Sequence, residues 1–401
     1  MNVEGDHHLR KVRVLHVLDN LGMGGAETWL MELLRYWTVN GADAPQIDFL
    51  ATSGAASYYD DEAQRYGARV FYLRYSRSRL ATFALRFREI LRNGRHAAIH
   101  DHGDYVSGWH FLLGSGALPP VRVTHVHNPS FQIRHNYGVT LTRRITSQIG
   151  KNLVARYCTH VVGTSRQAID EYGFNTPRFR HIPKLALHCG FDPTPVDNVD
   201  AVKKAVRREF GWPEDSKIVL FAGRIDKSPD IGHPQNHKNS GFAVSIGIVA
   251  AKLDTRIHML LAGAWSPAVP VLEDRILRCG LANRIRFIGI RRDLKRLMHG
   301  SDVLLFPSRG EGLGMVAVEA QAAGLPVLAS TAVPRECVVV PELVRFEPLK
   351  RSADEWAAAL LAQASQARNL AAANLRVANS PFAIENSART LLQVYKQGLL
   401  V

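Results

Sequence analysis

Residues 307–326 read PSRGEGLGMVAVEAQAAGLP and lie between two short apolar runs, Asp302–Phe306 and Val327–Ser330. Both runs are rich in branched residues, as buried parallel strands are, whereas residues 315–323 are strong helix formers with no glycine or proline among them. The sequence therefore predicts a strand, a glycine-rich turn, a helix and a second strand, which together form a βαβ unit.

The glycine-rich turn has the features of an anion site. Gly312 and Gly314 come at the start of the predicted helix, where unpaired backbone N–H groups and the positive end of the helix dipole favour a phosphate. Glu311 lies in the turn and Glu319 lies on the helix roughly two turns further on, where it could accept hydrogen bonds from sugar hydroxyls. The alternative is a turn in which the glycines only allow tight packing and both glutamates are solvated.

The whole pattern, Pro-Ser-x-x-Glu-Gly-x-Gly followed by Glu-Ala-x-x-x-Gly-x-Pro, resembles the donor-site signature of the retaining glycosyltransferases of family 4. The resemblance implies an α/β protein of the GT-B fold, in which two Rossmann-like doubly wound domains face each other across a cleft that holds a nucleotide sugar. It implies that Glu311 contacts the transferred sugar and that Glu319 binds the ribose. The implied substrate-binding residues of the turn are Gly312, Leu313, Gly314 and Met315, and Leu313 stands where many members have Phe.

Length and composition fit two domains. The chain has 401 residues, of which 46% are apolar, enough for two cores of ordinary size. A stretch with glycine and two prolines around Gly190 ends the pattern of the first domain. We expect an acceptor-side domain over 1–193 and a donor-binding domain over 194–380. The resemblance implies that the segment 381–401 forms a helix that crosses back to the first domain.

Short apolar runs alternate with helical patterns through both halves, which predicts two doubly wound parallel sheets with ligands at the carboxyl ends of the strands. The strands that we predict beside Asp302–Phe306 are Val12–Leu18, Gln46–Ala51, Arg69–Leu73, Ala97–Asp101, Val121–His127, Thr159–Thr164, Lys217–Arg224, Ile257–Gly263 and Arg284–Gly289. Towards the end of the chain, two helices are predicted over Ala353–Asn374 and Ala383–Leu399.

A second glycine-rich turn follows the first strand. Gly22-x-Gly24 begins a dinucleotide fingerprint, but Glu27 stands where the third glycine or an alanine belongs, which argues against a dehydrogenase. The form Leu-x-x-Gly-Gly-x-Glu resembles the first turn of family 4. The resemblance implies that the backbone of Gly24 and Gly25 lies against the acceptor and against the phosphates of the donor. A turn that serves only packing is the alternative.

Histidines end the fifth predicted strand. His125 and His127 are two positions apart, so they point to the same side of the strand and could bind a metal. No carboxylate or cysteine joins them at a set spacing, so we expect no metal site. The resemblance implies that His127 contacts the transferred sugar or the acceptor, and His125 remains a competitor for that role. His102 and Asp104, after the fourth strand, are further candidates.

A cation pair is expected after the strand Lys217–Arg224. Gly-Arg-x followed by Lys-Asn resembles the diphosphate-binding pair of family 4, which implies Arg224 and Lys238 as catalytic cations that stabilise charge on a leaving diphosphate. The spacer between them is longer than usual, so Lys227 is a rival to Lys238. Arg291 lies where similar enzymes read the nucleotide base mostly through the backbone. Ordinary solvated side chains are the alternative for these cations.

The net charge of +14 is unevenly distributed and could serve nucleic acid, anionic lipid or a diphosphate substrate. No nucleic-acid-binding signature occurs, so we expect no nucleic acid partner. Two stretches of the sequence are rich in basic residues, and each could be either a solvated helix face or a surface that binds an anionic membrane. The first contains Arg74, Arg77, Arg79, Arg86, Arg88, Arg92 and Arg95, and the second contains Arg134, His135, Arg143, Arg144, Lys151 and Arg156.

The N-terminus lacks the apolar segment of a signal peptide, and no run approaches the roughly 20 apolar residues of a membrane span. The four cysteines are far apart and show no zinc or disulfide spacing. We therefore expect a cytoplasmic protein, with peripheral attachment to the inner face of the membrane left open.

The resemblance to family 4 implies a retaining hexosyltransferase that moves a sugar from a nucleotide-sugar donor to a saccharide or lipid-linked acceptor in polysaccharide or glycoconjugate biosynthesis. Because no Asp-x-Asp follows a strand, we expect metal independence and no cofactor beyond the donor substrate. The alternatives are a non-catalytic nucleotide-sugar-binding protein and an epimerase or phosphorylase on the same fold.

Overall fold

A computed structural model describes residues 12–41, 44–127 and 140–397 of the chain. These residues form two compact units. The first comprises the described residues up to His127, residues 140–190 and the segment that begins at Ile384, and the second comprises Phe191–Ala383. The first unit thus ends at Gly190 rather than at the expected position 193, and the chain returns to it at Ile384 rather than at 381.

Within the described residues, the first unit contains a seven-stranded parallel sheet in the order β3-β2-β1-β4-β5-β6-β7. Its strands are β1 Arg13–Leu18, β2 Gln46–Ala51, β3 Arg69–Tyr72, β4 Ala98–Asp101, β5 Val121–Val126, β6 His160–Gly163 and β7 Lys184–Ala186. Its helices are α1 Gly25–Asn40, α2 Asp60–Arg65, α3 Leu80–Gly94, α4 Ser107–Gly114, α5 Leu141–Tyr157 and α6 Arg166–Glu171. The strand order reverses between β1 and β4, where a doubly wound sheet places its ligand site.

The described part of the second unit contains a six-stranded parallel sheet in the order β10-β9-β8-β11-β12-β13. Its strands are β8 Lys217–Ala222, β9 Ile257–Ala262, β10 Ile285–Gly289, β11 Val303–Phe306, β12 Val327–Ser330 and β13 Val344–Glu347. Its helices are α7 Val199–Phe210, α8 Ser240–Leu253, α9 Val269–Arg278, α10 Leu294–Gly300, α11 Met315–Ala322, α12 Ala353–Gln363 and α13 Leu370–Ala378. Here the order reverses between β8 and β11.

The central strands β8, β9, β11 and β12 of the second unit are buried on both faces, which explains why they read as continuous apolar runs. Successive residues of β8 belong to different hydrophobic clusters: Ile218 and Leu220 pack in one, and Val219 and Phe221 pack in the other. Since alternate side chains of a strand point to opposite faces, the two clusters cover the two sides of the sheet. The predicted α/β class, with two doubly wound sheets, is confirmed.

The prediction of one helix over Ala353–Asn374 is wrong. The structure contains α12 and α13 in its place, separated by residues 364–369. Two polar side chains explain the break: Arg368 donates to the carbonyl of Ser301 at 2.8 Å, and the Asn369 side chain accepts the N–H of Ala372 and so begins a new helix. Both residues also fit a helix interior, so the sequence pattern alone does not reveal the break.

The last helix, α14 Ile384–Gln397, packs within the first unit. Trp29 of α1 donates its indole N–H to Ser387 of α14 at 3.0 Å, and both side chains are buried. Tyr395 of α14 is fully buried. None of the helices that the structure describes is long and apolar enough to cross a membrane. Arg134 and His135 of the predicted basic stretch lie outside the described residues.

Candidate functional site

The glycine-rich turn between β11 and α11 has a backbone that requires glycine. Gly314 has φ +91°, in the left-handed region. A Cβ atom at this position would also lie 3.0 Å from Val333 and 3.1 Å from Phe306. Gly314 is the N-cap of α11 and has no side chain that could cap that helix end. The first amides of α11, from Met315 onward, are therefore suited to an anionic ligand.

The structure joins two of the predicted catalytic residues. Lys238 Nζ lies 2.6 Å from Glu311 Oε1, with the two side chains 26% and 11% exposed. The lysine stem runs along Gly223, where a Cβ would lie 3.5 Å from Lys238 Cδ, and its ammonium lies 5.7 Å from the ring centroid of Phe306. The ion pair thus links the loop after β8 to the turn after β11, at the reversal of strand order.

Asp226, which the sequence analysis did not select, holds Lys238 in place. Its buried carboxylate accepts the backbone N–H of Lys238 at 3.1 Å and that of Ser240 at 2.8 Å. Next to Lys238, Asn239 has φ +60° and donates its side-chain amide to the carbonyl of Pro307 at 3.2 Å. The two loops are therefore fixed to each other. The sequence does not reveal this arrangement, because Asp226 lies 12 residues before Lys238 and 14 before Ser240.

The other predicted cations differ in their surroundings. Arg224 and its neighbour Lys227 are both exposed, and neither makes a hydrogen bond or an ion pair with the described residues. Arg291, in contrast, donates to Asp293 at 2.7 and 2.8 Å and to Glu209 at 2.8 Å. The bonds to these two carboxylates raise the pKa of the Arg291 guanidinium. The Arg291 side chain is thus already satisfied, and its backbone remains the group that could meet a ligand.

Leu313 of the turn and Glu319 of the helix, both predicted to bind substrate, differ in how far their side chains are buried. Leu313 is 3% exposed and belongs to the hydrophobic core, so only its backbone is available to a ligand. Glu319 is partly buried on α11. Leucine in place of the Phe of many family members therefore fills a core position.

In the first unit, the turn after β1 leads into α1 at Gly25. A Cβ atom at Gly24 would lie 2.1 Å from the carboxylate of Glu27, so a side chain there would displace Glu27. A Cβ atom at Gly25 would have no described atom within 4 Å. Burial raises the pKa of Glu27. The residue that breaks the dinucleotide fingerprint thus folds over Gly24, and the backbone at Gly25 faces open space.

His127 directly follows β5. Its Nε2 lies 2.7 Å from His102 Nδ1, and its backbone N–H donates to Asp104 Oδ1 at 3.1 Å. Its competitor His125 is fully buried, whereas His127 is partly exposed. Of the two, His127 is therefore the ring that a ligand can reach, and His102 and Asp104 are positioned to hold it.

Five histidines gather at the carboxyl ends of β1, β4 and β5, which are neighbours in the sheet: His16, His100, His102, His125 and His127. Burial lowers the pKa of His16 and His127 to about 3. Burial is also the largest cause that lowers the pKa of the other three well below 6.5. All five are therefore neutral at pH 7. The sequence analysis missed His16 and His100, although His100-x-His102 repeats the spacing of His125-x-His127.

Two triples within this cluster, His16-His100-His102 and His102-His125-His127, offer ring nitrogens within 4.8 Å of one another. Neutral imidazole nitrogens at such distances could hold a transition-metal ion. The expectation of no metal rested on the lack of a joining carboxylate or cysteine, and it did not consider imidazoles from three strands.

Two family models match the chain. Residues 23–183 match the model described as Glycosyltransferase Family 4, and residues 216–377 match the model described as Glycosyl transferases group 1. Among curated proteins, EpsF of Bacillus subtilis strain 168, named as a glycosyltransferase, is 28% identical over 89% of this chain and 88% of its own length. A D-inositol 3-phosphate glycosyltransferase of Xylanimonas cellulosilytica is 29% identical over 62% of this chain and 59% of its own.

Solved structures show the same fold. A glycosyltransferase from Rickettsia africae superposes with a TM-score of 0.71 at 17% identity, over 97% of this chain and 99% of that one. HepE of Anabaena, solved in complex with UDP and glucose, superposes with a TM-score of 0.73 at 18% identity, over 96% of this chain and all of that one. The predicted GT-B fold with two Rossmann-like domains is confirmed.

Proposed function

The chain belongs to the glycosyltransferases, with Family 4 in its first half and group 1 in its second, and on that premise we propose that it uses a nucleotide-diphosphate sugar as donor. The sugar passes to a hydroxyl of a saccharide or lipid-linked acceptor with retention of the anomeric configuration. The observation that carries the proposal is the ion pair between Lys238 and Glu311, made by the loops that follow the two strands at the reversal point.

The charges around this ion pair suit a departing nucleoside diphosphate. A diphosphate develops negative charge as the bond to the sugar breaks, and preorganised cations and amides stabilise that charge. Lys238 and the exposed Arg224 supply the cations, and the uncapped start of α11 supplies backbone N–H groups. Glu311 pairs with Lys238 and keeps the lysine ammonium directed at the turn.

Glu319 is the proposed ligand of the ribose, and Glu311 and His127 are the proposed contacts of the transferred sugar or the acceptor. His127 is neutral, which suits a hydrogen bond to an uncharged hydroxyl. The backbones of Gly24, Gly25, Gly312, Leu313 and Arg291 complete the proposed set of contacts.

Catalysis is proposed to need no metal, because the cations and amides above act on the diphosphate. Turnover measured with and without EDTA tests this point. Activity that EDTA abolishes and that only a divalent ion restores would refute it.

A thermal-shift screen tests the donor class. HepE binds UDP and UDP-glucose in its crystal structures, so UDP-sugars come first, followed by GDP-, ADP- and TDP-sugars. A ligand that binds only the folded state raises the unfolding temperature. We expect one nucleotide series to stabilise the wild type and the exposed-lysine control Lys252→Ala, but hardly to stabilise Lys238→Ala. An equal shift in Lys238→Ala, with a loss in Lys227→Ala, would move the cation to Lys227.

We further propose that the first unit binds anionic membranes through the layer of α3, α4 and α5. Basic residues of α3 and α5 dominate this layer, and Glu89 is the one acidic residue of the three described helices. Exposed apolar side chains lie among these basic residues, at Leu85, Leu141, Ile145 and Ile149. Basic residues around exposed apolar side chains favour the headgroup region of an anionic bilayer.

Sedimentation with vesicles tests the membrane surface. We expect binding to phosphatidylglycerol-containing vesicles, weaker binding at high salt, and none to neutral vesicles. Ile145→Ser should weaken binding, whereas Leu277→Ser, at a more exposed site of the second unit, should not. Equal losses in the two variants would contradict the assignment.

A further inference from the structure

Five histidines of the first unit, of which His16, His100 and His125 are fully buried, form one continuous hydrogen-bonded chain with Tyr395. In order, the chain runs through His127, His102, His16, Tyr395, His100 and His125. His127 Nε2 lies 2.7 Å from His102 Nδ1, and His102 Nε2 lies 2.9 Å from His16 Nδ1. The Tyr395 hydroxyl lies 3.2 Å from His16 Nε2 and 2.7 Å from His100 Nδ1. His100 Nε2 lies 3.0 Å from His125 Nδ1.

Every ring inside the chain uses both of its nitrogens. A neutral imidazole has one N–H donor and one acceptor, and the tyrosine hydroxyl can donate to one ring while it accepts from the other. Each link therefore needs a donor on one side and an acceptor on the other. A mismatched link would bring two N–H groups or two lone pairs face to face and would lose that bond inside a buried cluster, where lost bonds are expensive.

Because Tyr395 is fully buried, an arrangement in which its hydroxyl accepts from both rings would leave its own O–H without an acceptor, so two arrangements remain for the whole chain. If His127 donates through Nε2, every following ring accepts at Nδ1 and donates at Nε2, and Tyr395 donates to His100. If the chain runs the other way, every ring carries its proton on Nδ1, and Tyr395 donates to His16. In both arrangements the five histidines share one tautomer.

The inner end of the chain is closed. His125 Nε2 is buried and has no partner among the described residues. His125 packs edge-on against Trp29, with ring centroids 5.4 Å apart. Protons therefore do not pass through the chain into solvent at this end, and the chain serves to orient the rings. The outer end is His127, whose Nδ1 is the ring nitrogen that the chain does not use.

We propose that His102, His16 and Tyr395 are positioning residues that set which nitrogen of His127 carries its proton, so that the C-terminal helix α14 determines whether His127 presents an acceptor or a donor at Nδ1. For catalysis, this inference rests on the proposed function, in which His127 contacts the transferred sugar or the acceptor. The tautomer itself is a property of the free protein and is measured without substrate.

Tyr395→Phe is the variant that tests the inference, because it keeps the ring and removes the one hydroxyl that joins the two halves of the chain. Nitrogen-15 NMR of histidine-labelled protein reports, for each ring, which nitrogen is protonated. Spectra of single His→Gln variants assign the five rings. The control is Ser387→Ala, which removes a buried hydrogen bond to Trp29 from the same helix and leaves the chain intact.

In the wild type and in Ser387→Ala, we expect all five rings in one tautomer. In Tyr395→Phe, we expect loss of that uniformity, with a changed or mixed tautomer at His127. In turnover assays, Tyr395→Phe should lower kcat more than Ser387→Ala does, and the KM for the donor should stay the same.

Three results would overturn the inference: mixed tautomers among the five rings of the wild type, an unchanged His127 in a folded Tyr395→Phe protein, or a stoichiometric metal ion in the purified protein, since nitrogens that bind a metal cannot form these links. If the tautomers behave as expected but no glycosyl transfer is found, the proposed function is refuted, whereas the inference about the hydrogen-bonded histidines is still supported.

Discussion

The two units build their candidate sites from opposite kinds of chemistry. In the second unit the site is charged: Lys238 pairs with Glu311, and Arg291 lies between Asp293 and Glu209. In the first unit it consists of neutral imidazoles, three of them fully buried, that are linked by hydrogen bonds. A diphosphate needs cations and amides, whereas hydroxyl groups need directional donors and acceptors without charge. The contrast therefore supports the proposal that the second unit binds the leaving group and that the first unit binds hydroxyl groups.

The largest expected effect concerns the neutral site. The histidine pKa values are lowered in the folded state, so the unfolded chain binds more protons below pH 6.5. Stability is then complete above pH 6.5 and falls as the pH is lowered towards the folded values. An imidazole that stays neutral in the folded state contributes up to about 1.4 kcal/mol per pH unit well below pH 6.5, so the cluster predicts a clear loss of stability by about pH 5.

Urea unfolding across this pH range measures that loss. His16→Gln should reduce the slope by about one proton, whereas the exposed His181→Gln should leave it unchanged. A free energy of unfolding that stays constant between pH 6.5 and pH 5 would show that the cluster is not neutral and buried.

The next effect concerns the charged site. Lys238→Ala removes the cation nearest the turn, and we expect kcat to fall about 100- to 1000-fold, as for loss of one preorganised group that stabilises developing charge. Release of the nucleoside diphosphate in the presence of acceptor measures it. Lys252→Ala serves as the control, and near-normal turnover in Lys238→Ala would remove this lysine from the mechanism.

A smaller effect is expected at Asp226, which touches no proposed ligand but holds the loop of Lys238. Asp226→Ala leaves the backbone N–H groups of Lys238 and Ser240 without their acceptor, at a cost of about 1–3 kcal/mol. We expect lower thermal stability and weaker donor binding together. Unchanged donor binding in a destabilised protein would limit Asp226 to a structural role.

The smallest expected effect is on stability, and it distinguishes backbone strain from side-chain packing in the glycine-rich turn before α11. Gly314 and Gly280 both have positive φ, +91° and +70°, but a Cβ at Gly280 meets no described atom within 4 Å. Each glycine-to-alanine change should cost about 1–2 kcal/mol from the left-handed backbone. Gly314→Ala should cost more, because Val333 and Phe306 must shift. Equal unfolding temperatures would mean that the turn adjusts freely.

The two sites also differ in how far the sequence predicts them. The charged site was predictable because its turn, helix start and flanking strands lie in one stretch, and Lys238 and Glu311 each belong to a local motif. Asp226 was missed because its partners follow a long loop. The neutral site depends on strand order: His16 and His100 become neighbours only because β4 pairs with β1, and Tyr395 arrives from the far end of the chain. Local patterns carry no information on such pairings.

The most direct test of the central claim, that Lys238 binds the diphosphate of the donor, is calorimetric titration with a nucleoside and with its diphosphate. The base is the one that the thermal-shift screen selects, and the proteins are the wild type and Lys238→Ala. We predict that the wild type binds the diphosphate much more tightly than the nucleoside, and that this difference largely disappears in Lys238→Ala while nucleoside binding stays the same. A difference that is equally large in the variant would contradict the claim.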